Sequence, residues 1–304
     1  MFESIWSDIR QAFRNGSMVT RLVIINFSVF VLVVLAKFVL FLFNGGNGIP
    51  LFFDDLLHLF CMPSDWRTLL WHPWSPFTHM FLHEGFWHVL SNILFLYLLG
   101  TIVGDLVGDR RVLPIYLLGG LAGGFLFLLS KFFLHYLSPY ALGASGAVMA
   151  LAGAAVTLAP DYRVMLLLLG EVKLKYIVLV MLLLDLLGIA NMDNTGGHLA
   201  HIGGFLTGVF LMYQLRDGKD WSEPVNRLLE RFFGLFSGRK RTAPPARGKR
   251  VAMYPKEKGS AKSDAENLSM QERLDEILAK IKASGYDSLT QEEKDFLYDT
   301  SKKL

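Results

Sequence analysis

Cysteine is almost missing from this chain: the single thiol, Cys61, excludes an intrachain disulfide, a Cys-x-x-Cys redox pair and a cysteine cluster for zinc. Charge is scarce as well. Charged residues are 19% of the 304, against 52% hydrophobic, and the mean hydropathy is +0.38, which excludes an ordinary soluble domain and indicates a polytopic membrane protein. The net charge of +3 conceals a split, with Lys and Arg crowded into the last third. A basic run just after an apolar segment suits an anionic membrane surface, so lipid is an expected partner and nucleic acid is not.

Apolar stretches long enough to span a bilayer fall near 22–43, 86–104, 112–134, 143–160, 173–190 and 197–215. The expected fold class is therefore all-α, a bundle of six transmembrane helices. The first stretch is long, follows a charged amphipathic opening (Phe2 to Arg14) and lacks a small-residue cleavage site, so it reads as a retained helix and not a cleaved signal. Basic residues gather in alternate loops: Arg10, Arg14 and Arg21, then Arg110 and Arg111, then Arg163, Lys173 and Lys175, then Arg216 and Lys219. The positive-inside rule then puts both termini in the cytoplasm. Lys37 and Lys131 are exceptions that snorkelling accommodates. Between the first two spans, residues 44–85 are too long for a simple connector. They contain a short amphipathic segment, Leu51 to Leu57, and three interfacial tryptophans, Trp66, Trp71 and Trp74.

Four regions follow: an amphipathic N-terminus (1–21), the six-span core (22–215), a juxtamembrane helix with a basic linker (216–267) and a small helical module (268–304). Within the third, Asn226 to Phe236 is patterned as an amphipathic helix ahead of Arg239-Lys240-Arg241. In the last, Leu268 to Ile281 reads as one helix, and a second opens at Thr290 with Glu293 as its capping box. This cytoplasmic tail is expected to regulate the protein or bind a partner, without catalysis.

The chemistry lies inside the spans. Ser145 stands at the start of the fourth, His201 near the start of the sixth, and His88 and Asn92 in the first turns of the second. All three spans run the same way, so these groups share one depth in the outer half of the membrane. Polar groups in hydrocarbon are costly without partners and mark functional sites. A serine hydroxyl needs a base within hydrogen-bond reach, which a neutral histidine supplies, hence Ser145 with His201. Acyl transfer also needs donors for a developing oxyanion. His88 and Asn92, four apart on one helix face, fit that need, and the Ser145 amide is a third donor. Gly146, Ala150 and Ala154 on one span and Gly204 and Gly208 on the other are small-xxx-small rows that allow close approach. His79, His83 and His198 read as supporting partners. Asp185, late in the fifth span, has two readings, a proton-relay carboxylate or a hydrated carboxylate near the outer interface, and the second is the expectation.

Gly143-Ala144-Ser145-Gly146, Ala200-His201 with Gly204 and Gly208, and the His88/Asn92 pair, taken in that arrangement, resemble the rhomboid family of intramembrane serine proteases across residues 20–215. The resemblance implies a catalytic dyad of Ser145 and His201 without an acidic third member. It also implies an oxyanion site from His88, Asn92 and the serine amide, with Gly143, Gly146, His83, Met149, Gly204 and Gly208 in support. Cleavage of transmembrane protein substrates near the outer face, behind a water-filled pocket, would follow, as would residence in a bacterial inner membrane. Two departures stand out. Met149 occupies a position where well-studied bacterial members often carry a tyrosine under the catalytic histidine. Trp74-Ser75 stands where those members carry Trp-Arg, and the literal pair here, Trp66-Arg67, lies farther upstream.

Two alternatives remain at this stage. A catalytically silent rhomboid-like protein would bind membrane helices without cutting them. A metal-dependent protein would use His79, His83, Glu84 and His88. His83 and His88 are five apart, however, which turns the second ring ~140° around the helix, against ~40° for the i,i+4 spacing of HExxH. No metal and no cofactor are expected.

Overall fold

The computed structural model describes residues 2–134, 138–166, 170–236, 277, 280 and 288–301, and the chain divides into two units, 1–239 and 240–304. Three helical runs in the first unit are long and apolar enough to cross a membrane: α2 (Met18–Phe43), α6 (Phe86–Val107) and Asp109–Ser130, a short 3-10 turn that leads into α7 (Val112–Ser130). The other three expected segments are also helical, as α8 (Ser145–Leu158), α9 (Leu174–Ala190) and α10 (Thr195–Arg216). An amphipathic helix, α1 (Phe2–Asn15), precedes them, and α11 (Ser222–Phe236) follows. The expectation of an all-α chain needs one amendment, because there are two small antiparallel strand pairs: β1–β2 joins two loops, and β3–β4 is a hairpin within one.

At the centre, α10 packs against α7, α8 and α9. In lipid no hydrophobic force draws one apolar helix to another, so close packing of small residues must hold them. The glycines here are placed for that purpose. A Cβ on Gly204 would collide with the carbonyl of Gly146, one on Gly208 with the carbonyl of Ala150, and one on Gly153 with the carbonyl of Phe205. On α7, Gly119 meets the Ala150 side chain and Gly123 the Ala200 carbonyl, so three helices converge with their backbones nearly in contact.

Helix α2 is attached differently, since most of its surface faces outward. Its first turn is capped twice: Ser17 accepts from the Thr20 amide, and the Asp109 carboxylate accepts from the Met18 amide at 2.8 Å. Deeper in, the buried Asn26 amide donates to the Leu22 carbonyl at 2.9 Å and meets the Tyr116 hydroxyl of α7 at 3.3 Å. That hydroxyl in turn donates to the Met80 carbonyl at 2.9 Å. Asn26 and Tyr116 therefore both have partners, which removes the penalty of desolvating them.

The long connection from α2 to α6 folds into three short helices, α3 (Phe52–His58), α4 (Trp66–Trp71) and α5 (Ser75–Thr78). Strand β1 (Met62–Pro63) pairs with β2 (Tyr140–Ala141), just ahead of α8. His58 stacks on Tyr140 with ring centroids 4.3 Å apart. Trp74 Nε1 donates to the Leu59 carbonyl at 2.8 Å, and Thr78 Oγ1 to that of Phe60 at 2.7 Å. Buried Cys61 lies in this connection, where desolvation pushes its thiol up to about 12, so it is no thiolate nucleophile. The span expected over 112–134 stops at Ser130, and Lys131 turns out to pair with Asp65 at 3.3 Å.

At the opposite ends of the helices, β3 (Arg163–Leu166) and β4 (Gly170–Lys173) form a hairpin between α8 and α9. Lys175 and Lys173 hydrogen-bond Asp161 there and hold its carboxyl below the usual range. Arg111 pairs with Asp220 at 2.8 Å, and the Asn226 amide donates to the Arg110 carbonyl at 3.1 Å, which ties α11 to the turn before α7. In the second unit, Gln291–Ser301 forms α12. The Thr290 amide donates to Glu293 at 2.7 Å, and Lys280 pairs with Glu293 at 2.9 Å. The expected basic linker, the helix over 268–281 and its following turn lie mostly or wholly outside the described residues.

Two outcomes follow for stability. Gly208→Leu drives a side chain into the Ala150 backbone and is expected to cost upwards of about 3 kcal/mol. Gly234→Ala, whose added Cβ meets nothing within 4 Å, leaves the melting temperature in detergent unchanged or slightly raised. The second outcome concerns His79 and His83, in the segment before α6. Burial pushes both down to about 4 from the ordinary ~6.5. Between those values the unfolded chain binds protons that the folded chain refuses. Stability is thus full above about pH 6.5 and falls as pH drops toward 4, by ~1.4 kcal/mol per pH unit for each group. Thermal unfolding in detergent at pH 7.5 and pH 5 measures this, and a His79→Asn, His83→Asn double variant flattens the difference.

Candidate active site

Ser145 opens α8, and its position there follows from the residues before it. Gly143 has φ of +130°, a backbone conformation that disfavours any side chain. A Cβ at Gly143 would also press on the His88 ring, with Nε2 at 2.9 Å, and would come within 3.6 Å of Ser145 Oγ. The serine hydroxyl and the His88 imidazole thus share the space that Gly143 leaves open. The Gly143 amide donates to the His79 carbonyl at 2.9 Å and fixes the turn. Because Ser145 is the first helical residue, its own amide and the next have no acceptor within the helix and carry the positive end of the helix dipole.

On α10, His201 Nε2 lies 2.7 Å from Ser145 Oγ. Close contact of α8 and α10 at Gly146 and Gly204 is what brings the two residues, 56 positions apart, within hydrogen-bond reach. With Nε2 as acceptor, the imidazole can take the hydroxyl proton as the oxygen attacks a carbonyl.

The site opens into a cavity of about 710 Å³. Ser145, His201, His88 and Asn92 all line it, so the structure brings together the four residues singled out from sequence. Asn92 donates one amide hydrogen to the His88 carbonyl at 2.8 Å and keeps a second for another acceptor. Behind them, the His83 ring meets His88 edge to face, with centroids 5.1 Å apart. Met149 is buried in the cavity wall one turn below the serine. Gly204 and Gly208 serve helix contact and do not touch the cavity.

One expectation is corrected. Asp185 is not a hydrated interfacial carboxylate: it is 5% exposed, and its Oδ1 lies 2.6 Å from His201 Nδ1 and 2.7 Å from His198 Nδ1. An acidic group therefore contacts the histidine, where the family resemblance implied a dyad without one. The sequence held a signal for it. Asp185 stands five residues before the end of α9 and His201 six after the start of α10, so the short turn between these antiparallel helices sets both at one depth. His198 and His201, three apart, then share the helix face toward it. The carboxylate oxygen and the two ring nitrogens also lie within 4.8 Å of one another, the spacing of a metal-ligand set. Both nitrogens also reach the same carboxylate oxygen at hydrogen-bond distance, which pairs the three groups with one another.

Comparison with known proteins points to a family. Residues 70–217 match the Rhomboid domain family, and residues 261–303 match a family of unknown function, DUF6576. The chain is 34% identical over 139 residues to Rhomboid protease GluP of Bacillus subtilis (strain 168), covering 45% of this chain and 25% of that protein. It is 32% identical over 160 residues to RHOMBOID-like protein 2 of Arabidopsis thaliana, 50% of this chain and 45% of that one. A mitochondrial relative, Presenilin-associated rhomboid-like protein A of Danio rerio, is 29% identical over 132 residues, 43% of this chain and 34% of its own. The chain thus spans from a quarter to a little under half the length of these curated relatives. With residues 70–217 matching the Rhomboid domain and curated relatives of that name, this chain carries a rhomboid domain.

Proposed function

We propose that this protein is an intramembrane serine protease, with Ser145 as nucleophile and His201 as general base. The observation that carries this reading is the 2.7 Å contact between His201 Nε2 and Ser145 Oγ at the wall of a cavity among apolar helices. Ser145 Oγ attacks the scissile carbonyl carbon as its proton passes to Nε2. His88, Asn92 and the Ser145 amide face the oxygen that becomes negative. Nε2 then returns the proton to the departing amine, leaving an acyl group on Ser145. A water molecule, deprotonated by the same nitrogen, hydrolyses that ester and restores the serine.

The topology we propose has six spans, α2 and α6 to α10, with both termini in the cytoplasm. Helix lengths then bear on where cleavage occurs. Helix α8 has 14 residues, about 21 Å, whereas the hydrocarbon is about 30 Å thick. Its C-terminal end is followed by Asp161, Arg163, Lys173 and Lys175, a charged turn suited to the cytoplasmic face. Ser145 therefore sits about 10 Å below the outer face, reached through the cavity and not through lipid. A substrate is a membrane-spanning protein whose helix unwinds near that face. GluP is named a protease, and its activity comes to this chain as part of this proposal. The C-terminal tail is assigned a regulatory or partner-binding role.

Two measurements test the reading. A fluorophosphonate probe labels the purified protein in detergent, and Ser145→Ala or His201→Ala abolishes labelling and lowers cleavage of a transmembrane reporter by ~10⁴-fold or more. Retained turnover in Ser145→Ala would sink the nucleophile assignment, and a folded, probe-silent wild type would point to a helix-binding protein. For the oxyanion donors, His88→Ala and Asn92→Ala each lower kcat by ~10²–10³-fold with little change in labelling-independent stability, read by thermal unfolding.

A further inference from the structure

We infer that Asp185 is a positioning residue for catalysis, a buried carboxylate that sets the tautomer and the orientation of His201; this rests on the protease reading above. Three observations lead there. First, an imidazole has one ring nitrogen for each side of the reaction, and in His201 both are engaged: Nδ1 at 2.6 Å from Asp185 Oδ1 and Nε2 at 2.7 Å from Ser145 Oγ. An ionised carboxylate only accepts hydrogen bonds, so Nδ1 must carry the proton and Nε2 the lone pair. That is the one neutral tautomer able to receive the serine proton. Turning the ring over would forfeit both contacts at once.

Second, the carboxylate is 5% exposed within an otherwise apolar helix. Such a group is costly in a membrane and persists where charge-assisted donors compensate it. Among the described residues its ion-pair partners are the two histidines, His198 and His201, with no Lys or Arg. When the serine proton arrives on Nε2, His201 becomes a cation, and the negative charge that stabilises it is already in place. The Nδ1 proton stays on the imidazole throughout, and the carboxylate stays ionised.

Third, the surroundings offer little else to fix the ring. Helix α8 carries no titratable group, and the Tyr116 hydroxyl of α7 is engaged by Asn26 and Met80. Among the described residues, the other ionisable groups around the cavity are His198 on the same helix, His88 on α6, and Glu84 and Tyr140 in the cavity lining, Tyr140 stacked on His58. His198 donates to the same Asp185 oxygen, with its ring perpendicular to that of His201 at 5.7 Å. Its Nε2 fills the space that Gly188 leaves beside α9. The second histidine thereby holds the carboxylate in place while the carboxylate holds the first.

The competing role is a bond that merely fastens α9 to α10. Full-length protein in detergent separates the two. Asp185→Asn keeps the shape and an accepting oxygen but removes the charge. We expect kcat to fall by ~10²–10⁴-fold, with KM and the melting temperature close to wild type. In selectively ¹⁵N-histidine-labelled wild type, His201 should show a protonated Nδ1 with a low-field proton resonance, and this resonance should move upfield in Asp185→Asn. If Asp185→Asn fails to fold, the wild-type spectrum decides alone: a protonated Nε2 on His201 overturns the proposal. So does an Asp185→Asn variant with kcat within threefold of wild type, or one in which melting temperature, KM and kcat decline together. Chelator-sensitive turnover restored by a divalent cation would overturn it too, by reassigning the trio to a metal. Ser145→Ala is run alongside: turnover surviving there defeats the protease reading itself, whereas turnover lost in Ser145→Ala but kept in Asp185→Asn defeats only the role of Asp185.

Discussion

Backbone contact between α8 and α10 is the constraint on which the rest of the structure depends. Gly204 over the Gly146 carbonyl and Gly208 over that of Ala150 leave no room for a single added carbon. Ser145 lies at the start of one of these helices and His201 on the other. A wider separation, of the size a Leu–Leu contact requires, would pull the imidazole beyond hydrogen-bond range of the hydroxyl. The seam that replaces hydrophobic attraction in lipid is therefore the same one that sets the reactive distance. Stability and site geometry are one feature in this bundle, and α7 reinforces it by presenting its own glycines to both partners.

Around that rigid centre the attachments grow looser. Helix α9 meets α10 more sparingly and exposes much of its surface, with the polar contact from Asp185 and the packing of Gly188 on His198 among what joins the two. Polar contacts between membrane helices are each worth only ~0.6–2 kcal/mol. An attachment of that size holds a helix in register without preventing it from moving. The first long loop contrasts with this. Its pairing of β1 with β2 and the His58–Tyr140 stack link it to the segment that delivers Ser145, and the Trp74 and Thr78 hydrogen bonds hold the loop to itself.

Much of this was legible in the sequence because apolar length and small-residue spacing are local properties. The helices over the six apolar segments, the amphipathic 226–236 stretch and the glycine rows could be read without a structure, and each follows from periodicity or composition. The positions of Ser145, His201, His88 and Asn92 were legible for a different reason: polar residues in hydrocarbon have few excuses. Asp185 escaped because the same logic was applied to its depth and not to its neighbours. A carboxylate near a helix end is cheap if water reaches it and consequential if it does not. Sequence reports the end of the helix but not which face is covered. The two strand pairs were equally invisible: β1 and β2 have two residues each, no period to detect, and exist only because distant loops meet, while β3 and β4 are a hairpin of four-residue strands between two apolar segments, too short to stand out from them.

Met149 shows how the local and the distant combine. A methionine packs against a ring through a soft, flexible thioether and orients it less strictly than an aromatic plane would. On the proposed protease reading, in which His201 presents one nitrogen to a hydroxyl, some other contact has to supply direction. A hydrogen bond does so better than packing, because its strength falls steeply with angle whereas dispersion does not. The Asp185 carboxylate meets His201 in the ring's far direction, on a helix that the sequence places immediately before α10. Directional control of the imidazole can thus come from the side of the ring opposite the serine, and a soft residue in the cavity wall becomes compatible with a base that must not turn.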